Sequence, residues 1–349
     1  MFKKVLNCII DTIKEEYKFI IVLLLITIIL NIPLNYYITV GGGISSAEDR
    51  IEVKDKYDSK GSLNISYVTQ LEGTLVTVGL SYIIPSWERE SIDSYKFDEN
   101  ESVDDIDFRS EFSLDVANSN ATYWAYTLAN KEIKEKSKQV YVIATISDDF
   151  KTNLKVGDQI LSVDNQTFDN LSDYGNYIQT KEVGEEVEIK VLRKKKEKII
   201  KNKVYESEGV KLIGVYLQSK IEYDTNPPLE IKFKDKESGP SGGLITTLEI
   251  YNQLTKKDIT GGKTIAGTGT IEADGTIGEI GGIEHKIKGA AHAKADIFLT
   301  PGGENYEAAK KYIRENNIKI KLIKVETIEE AIEELEKIKK WGNEHEKNN

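Results

Sequence analysis

One serine lies in a segment whose composition suits nucleophilic chemistry. Ser241 follows Gly-Pro and precedes two glycines, at the point where a predicted strand gives way to a predicted helix. Its hydroxyl would then lie at the positive end of that helix, where backbone N–H groups are free to face an oxyanion. Pro240 has no N–H, so the donors have to come from Ser241 and its neighbours. Taken alone, the segment also fits a purely structural turn.

A serine nucleophile needs a base, which has to come from elsewhere in the chain. His285 and His292 follow a glycine pair on one predicted helix, so a Ser-His arrangement is open. Lys286 fits better, because Ala290 and Ala293 share its helix face and small apolar neighbours allow a lysine to be buried. Burial lowers the pKa of an amine and favours the neutral form that can accept a proton. The alternative is an ordinary solvent-exposed lysine.

Two stretches, ESGPSGGLITTLEIYNQLT and TIAGTGTIEADGTIGEIGGIEHKIKGAAHAKAD, together resemble the proteolytic domain of the Lon family in order, spacing and content. In that family the serine after Gly-Pro is the nucleophile and the lysine in Gly-Gly-hydrophobic-x-x-Lys is the base. These positions correspond to Ser241 and Lys286. The resemblance further implies that Thr268 orients the amine. Gly239 and Gly242 are candidate supporting residues: Gly242 stands where the family often has alanine, and it leaves room for a substrate backbone to approach closely. It implies an α/β (α+β) proteolytic domain over residues 209–340.

The alternation of apolar and polar residues and the turn signals predict the elements that hold these side chains. Asp274-Gly275 predicts a hairpin turn between strands at 264–273 and 276–280, because both residues tolerate positive φ. The other predicted elements are the strands 229–233, 297–300 and 318–325 and the helices 283–295 and 306–316, with a last helix starting at Thr327.

Gly262-Lys263-Thr264 invites comparison with a phosphate-binding loop. Lys257 occupies the place of the first glycine of that motif, and a strand rather than a helix is predicted to follow. We therefore expect no nucleotide, no other cofactor and no metal. Without an unfolding motor, a substrate would have to arrive extended or unfolded.

The N-terminus carries an apolar run. Residues 19–38 are long enough to cross about 30 Å of hydrocarbon as one helix, with residues 1–18 as a cytoplasmic arm. Lysine and arginine are nearly balanced on the two sides, but a short arm inside and a large exported domain is the usual arrangement. The alternative is a cleaved signal peptide with Ser45-Ser46-Ala47 as its cleavage site.

The middle of the chain resembles a PDZ domain of the bacterial protease-associated type. The stretch LKVGDQILSVDNQTF carries the resemblance, which covers residues 121–208 and includes a helix predicted at 171–179. PDZ domains bind extended peptides by adding a strand to a sheet edge. Residues 39–120 are strand-rich and then acidic, with residues 85–119 predicted as loop and short helix. Residues 341–349 form a polar tail.

The order of these parts resembles the PDZ-containing, membrane-anchored Lon-like proteases of Gram-positive bacteria. The resemblance implies an ATP-independent serine endopeptidase that is anchored in the cell membrane with its catalytic domain outside the cytoplasm. It also implies that the substrate is an extended peptide or an exported protein, which the PDZ-like domain presents or gates. A net charge of -11 argues against nucleic acid as a partner, and the single cysteine, Cys8, excludes an intrachain disulfide. The alternatives are a non-catalytic scaffold that binds peptides and a Ser-His hydrolase.

Overall fold

A computed structural model describes residues 2–146, 150–234 and 236–346, and it describes the side chains of residues 13–338 within those ranges. The helices are α1 Phe2–Leu30, α2 Leu75–Ser81, α3 Val103–Leu128, α4 Leu171–Gln179, α5 Gly243–Leu254, α6 Ile283–His292, α7 Gly303–Glu315 and α8 Ile328–Glu346, with 3-10 helices at Ile92–Tyr95 and Pro240–Gly242. The strands are β1 Pro33–Ser46, β2 Ile51–Val53, β3 Ser62–Thr74, β4 Glu88–Ser91, β5 Glu132–Thr145, β6 Gln159–Val163, β7 Glu186–Arg193, β8 Lys196–Lys203, β9 Tyr205–Ser207, β10 Val210–Leu212, β11 Val215–Asn226, β12 Leu229–Ile231, β13 Thr264–Gly267, β14 Ile297–Pro301 and β15 Lys321–Val325.

The first of two compact units comprises Met1–Gly41 and Thr69–Tyr95. Within it, β1 pairs antiparallel with β4. The prediction of a single apolar helix over residues 19–38 is wrong at both ends, because α1 begins at Phe2 and ends at Leu30. Pro33 explains the C-terminal end, because it disfavours helical backbone before it and starts a strand rich in β-branched residues.

Across the part of the chain that the structure describes, no helix is both long enough and apolar enough to cross a membrane.

The second unit comprises Gly42–Val68 and Lys96–Asn349. Its C-terminal half is built on parallel strands in the order β15-β14-β13-β3. One face of this sheet packs against α5 and α8 through Leu244, Leu248 and Ile332. The other face packs against α6 and α7 through Ile287 and Ala309. A parallel sheet covered on both faces holds the loops at its strand ends in fixed positions.

The same unit contains an antiparallel five-stranded sheet with the order β11-β5-β6-β7-β8. Its core includes Val142, Val187 and Ile189, and Tyr174 and Ile178 of α4 pack onto it. The bounds of α4 are those that the sequence predicted. The buried carboxylate of Asp158, in the resemblance segment, accepts hydrogen bonds from Arg193 and from the Lys155 N–H. This aspartate therefore fixes a turn.

The prediction of loop and short helix for residues 85–119 is wrong over its second half, because the long helix α3 begins at Val103. The predicted domain start at residue 121 lies inside this helix. Ser102 caps its first turn in a capping box with Asp105. One side, with Ala117, Ala121 and Ala125, packs into the core of the C-terminal half. The helix also contacts β5 and β11 of the antiparallel sheet. Because α3 is packed on two sides, its sequence lacks the single apolar stripe of a surface helix.

Candidate active site

The segment around Ser241 leads from an extended chain into a helix. Gly239 adopts φ 84°, which favours glycine, and its N–H donates to the Ser110 carbonyl at 3.0 Å. A 3-10 turn then carries Ser241 and joins α5 directly, and neither helix start has a side-chain cap. Gly242 is buried, and a Cβ there would lie 3.1 Å from Ile65. Ser241 itself is partly exposed at the positive end of α5.

Lys286 lies in the second turn of α6, which approaches residues 42–46 of β1 unusually closely. A Cβ on Gly289 would lie 2.6 Å from the Gly43 nitrogen, and one on Gly42 would lie 2.5 Å from the His285 carbonyl oxygen. Glycines on both elements therefore bring helix and strand together. The result is that the Lys286 side chain is only 2% exposed.

Thr268 connects the lysine to the serine segment. Lys286 Nζ donates to Thr268 Oγ1 at 3.0 Å, and this hydroxyl donates to the Ser241 carbonyl at 3.1 Å. The same carbonyl accepts the Gly269 N–H at 2.8 Å. The position of Thr268 is set in turn by its own N–H, which donates to the Leu299 carbonyl at 3.1 Å. The end of β13 thus holds Ser241 and Lys286 through one buried hydroxyl.

Burial changes the acid–base properties of the amine. Desolvation lowers the pKa of Lys286 from 10.5 to about 8. At about pH 7 this leaves about a tenth of the amines neutral, whereas an exposed lysine would have about one in three thousand. A neutral amine is the form that accepts a proton.

The two histidines considered as bases lie differently. His285 is buried beside Lys286, but consecutive residues of a helix point about 100° apart, so His285 does not share the direction of Lys286 toward Thr268. His292 is exposed and is the last residue of α6. Lys286, in contrast, is joined to the serine segment by a hydrogen-bonded path through Thr268.

An ion pair that sequence reasoning missed fixes the approach to Ser241. Arg50 is buried and donates from Nε to Glu237 Oε2 at 3.1 Å and from its terminal nitrogens to Glu237 Oε1 and Ser45 Oγ. Burial alone would raise the pKa of Glu237, but the Arg50 hydrogen bonds outweigh it and hold that pKa below its ordinary value. Glu237 Oε2 also accepts the Lys234 N–H at 2.9 Å, which closes the turn before the nucleophile segment.

Helix α3 contributes further contacts that the sequence did not reveal. Besides the Ser110 carbonyl, Asn120 donates to the Ile271 carbonyl at 2.9 Å and Trp124 to the Ala273 carbonyl at 3.3 Å. The last two contacts hold the turn at Asp274-Gly275, where the Glu272 N–H donates to the Thr276 carbonyl. The turn is present as predicted, but the predicted flanking strands are not: β13 already ends at Gly267, and residues 276–280 do not form a strand. The signal that could have found this helix is the spacing of its alanines by four residues.

The structure thus brings four of the five predicted site residues together at the end of β13, namely Ser241, Thr268, Gly239 and Gly242. The fifth, Lys286, is hydrogen-bonded to Thr268. Within the described residues no cluster of three His, Cys, Asp or Glu side chains could hold a metal ion.

Comparisons with known domains agree with this arrangement. Residues 234–337 match the model of the Lon protease (S16) C-terminal proteolytic domain, and residues 129–204 match the model of the PDZ domain. Both resemblances seen in the sequence are therefore confirmed at the level of the domain. None of the curated proteins matches the chain.

Solved structures similar to this chain include PDZ domains of SdrC-like proteins. The domain from Listeria monocytogenes is 28% identical, over 24% of this chain and 92% of that one, with a TM-score of 0.22. The domain from Listeria innocua is 29% identical, over 23% of this chain and 92% of that one, with a TM-score of 0.21. On the strength of the two domain matches, the chain carries a PDZ domain followed by a Lon-type peptidase domain.

Proposed function

We propose that this protein is an ATP-independent serine endopeptidase with Ser241 as nucleophile and Lys286 as general base. The observation that carries the proposal is the buried Lys286 amine, joined through the Thr268 hydroxyl to the backbone of Ser241. A lysine whose charged form is desolvated by burial is costly as structure and useful as a base.

Thr268 defines how the amine faces the serine. Its hydroxyl proton is donated to the Ser241 carbonyl, so toward Lys286 the hydroxyl oxygen can only accept. A neutral amine that donates one N–H to this oxygen keeps its lone pair for another partner. In our mechanism that partner is the Ser241 hydroxyl, which loses its proton to Lys286 as it attacks the substrate carbonyl. An acyl-enzyme forms, and Lys286 then activates the water that hydrolyses it.

A backbone N–H of the serine segment stabilises the oxyanion in this mechanism. Those of Gly243 and Leu244 already donate to the carbonyls of Pro240 and Gly269, and that of Gly242 lies within the same 3-10 turn, whose i to i+3 bond directs it to Gly239. We therefore assign the oxyanion to the N–H of Ser241, where the start of α5 adds its positive end.

The substrate in this proposal is an extended peptide or an exported protein with an unfolded segment. The chain offers no phosphate-binding loop, since Lys257 replaces the first glycine of the one candidate. The PDZ domain presents or gates the substrate, and its sheet shares helix α3 with the nucleophile segment. Binding and cleavage therefore depend on one rigid element.

We also propose that the protein works at the cell membrane with its peptidase domain outside the cytoplasm. The residues from Ile21 to Ile26 of α1 are consecutive and apolar, and each is about half exposed. A helix that is apolar on every side belongs in a protein core or in lipid.

The test compares the full chain in detergent micelles with its Ser241→Ala variant. Each is incubated with extracted surface proteins and secreted peptides, and new chain termini are identified by mass spectrometry. Termini that require Ser241 are expected, and they define the cleavage motif. Lys286→Arg is expected to be equally inactive, because a guanidinium remains protonated.

Identical profiles for wild type and Ser241→Ala would reject the protease and favour a peptide-binding scaffold. Activity retained in Lys286→Arg would assign the base to a histidine. Circular dichroism of each variant establishes that the fold is kept.

A further inference from the structure

Residues 73–87 form a second uncharged stretch, GTLVTVGLSYIIPSW, far along the chain from the apolar N-terminus. It comprises the end of β3, helix α2 and the turn that follows. The stretch is well defined, because Thr74 and Thr77 form a reciprocal capping box at the start of α2.

The large apolar side chains of this stretch face outward. Tyr82 is 74% and Ile83 is 76% exposed, and Leu75, Val76 and Leu80 are also exposed. Scattered apolar residues are common on protein surfaces, but a contiguous group of this kind marks an interaction site. We call these five residues the α2 patch. Removing such side chains from water is favourable, so the patch can contribute substantially to binding.

The surroundings of the patch indicate a lipid surface as its occupant. Helix α1 belongs to the same compact unit and contacts α2, and its residues 21–26 are exposed all round. The patch is thus continuous with a second apolar surface that carries no charge. Tyr82 and Trp87 at the rim are the residue types that concentrate at membrane interfaces.

Arg89 adds charge complementarity at the same rim. Its guanidinium lies 3.9 Å from the centre of the Tyr82 ring and donates to Ser81 Oγ at 3.1 Å. This holds a cation beside an apolar surface, as binding to phosphate headgroups above acyl chains requires.

We propose that the α2 patch enters the boundary between headgroups and acyl chains of a bilayer, as a second lipid contact beside α1. The proposal rests on the membrane location proposed above and adds to it a specific segment. Two contacts from one unit restrict its orientation on the membrane, which a single helix does not.

The test uses the full chain with Cys8→Ser, since Cys8 is the only cysteine. Single cysteines replace Ile83, Leu24 or Ser207 and are labelled with an environment-sensitive fluorophore. Ile83 and Leu24 are exposed, so the substitutions remove little packing. Ser207 is an exposed control between two glutamates. Each protein is reconstituted in vesicles of phosphatidylglycerol and phosphatidylethanolamine, with or without lipids that carry a nitroxide quencher high on the acyl chain.

We expect the Ile83 label to shift its emission to shorter wavelength and to be quenched by the nitroxide lipids, while the Ser207 label does neither. The Leu24 label reports the membrane location independently. Quenching at Leu24 without quenching at Ile83 overturns the α2 contact and leaves the location standing. No quenching at either position rejects both. A blue shift at Ile83 that nitroxide lipids do not quench overturns the proposal in favour of a second copy or another protein.

Discussion

The buried amine of Lys286 couples the proposed catalysis to stability, and replacement by methionine separates the two. Methionine has a similar length, no charge and a flexible chain that fits an irregular site. Because desolvation lowers the pKa of Lys286 from 10.5 to about 8, the folded protein disfavours the charged amine. The Lys286→Met variant should be inactive but more stable than wild type at neutral pH.

The size of this effect follows from the shift in pKa. Between about pH 8 and pH 10.5 the unfolded chain binds a proton at Lys286 that the folded chain does not, so the free energy of unfolding rises with pH in this range. Below pH 8 the folded wild type carries the whole cost, about 3 kcal/mol at about 1.4 kcal/mol per pH unit. Loss of the hydrogen bond to Thr268 returns about 1 kcal/mol of that gain. The variant should therefore be about 2 kcal/mol more stable at about pH 7. The difference should vanish near about pH 9.5, and near pH 10.5 the variant should be about 1 kcal/mol less stable, because only the lost hydrogen bond then remains.

The fluorescence of Trp124 reports unfolding of the peptidase domain, because Trp124 packs against Gly275 of that domain and donates to the Ala273 carbonyl. With Trp87 and Trp341 replaced by phenylalanine, urea unfolding of the full chain in micelles can be followed by its fluorescence at several pH values. Lys288→Met is the matched control, since Lys288 is an exposed lysine on the same helix. Cleavage of labelled casein by wild type, measured in parallel, should rise with pH through about 8.

A stability difference that is unchanged between neutral and alkaline pH would refute the reasoning, because it would mean that the lysine is not held neutral by burial. The same conclusion follows if Lys288→Met behaves like Lys286→Met. Casein cleavage that persists in Lys286→Met would show that another group is the base.

Three further predictions concern the surroundings of the site. Thr268→Val should lower kcat about 10- to 100-fold with little change in KM, since it removes a hydrogen bond that orients Lys286 rather than one that binds substrate, and steady-state kinetics checks this. Burial raises the pKa of Glu249 to about 7, so the free energy of unfolding of wild type falls as pH rises from 4.5 to about 7. Glu249→Gln should abolish this fall in unfolding measurements and should be about 3 kcal/mol more stable than wild type above about pH 7. Arg50→Glu should reduce casein cleavage at least 10-fold by releasing the turn before the nucleophile, and Glu237→Arg in the same chain should restore part of it, whereas a rate unaffected by the single change would contradict the role of the ion pair.

The sequence predicted the elements of the C-terminal half well because their patterns are local. The helix of Lys286 follows a glycine pair, and the turn at Asp274-Gly275 and helix α4 are set by residues within each segment. The candidate site was found in the same way, from short motifs. The burial of Lys286 was predicted from two alanines on its helix face. Ala290 is buried, as this reasoning requires, but Ala293 is exposed.

What the sequence did not reveal depends on distant parts of the chain. Arg50 and Glu237 are separated by 187 residues, and nothing in either neighbourhood indicates that they pair. Helix α3 was missed because both of its sides are covered, by different layers, so that its apolar residues do not fall on one stripe. The glycines at positions 42 and 43 had a signal, since adjacent glycines allow close approach of backbones, but their partner Gly289 lies on a different element.

The support around Lys286 explains how a charge-destabilising residue can be kept at that position. Folding has to offset about 3 kcal/mol for the amine, a large part of the stability of a typical domain. The offset comes from the surroundings of the amine: the close contact between Gly289 and β1, the apolar contacts of Ile287 and Ala290, and the hydrogen bond to Thr268. Of these, Thr268 alone also touches the serine segment. Sites that trade stability for activity show this pattern, and a structural lysine would more simply have been replaced by an apolar residue.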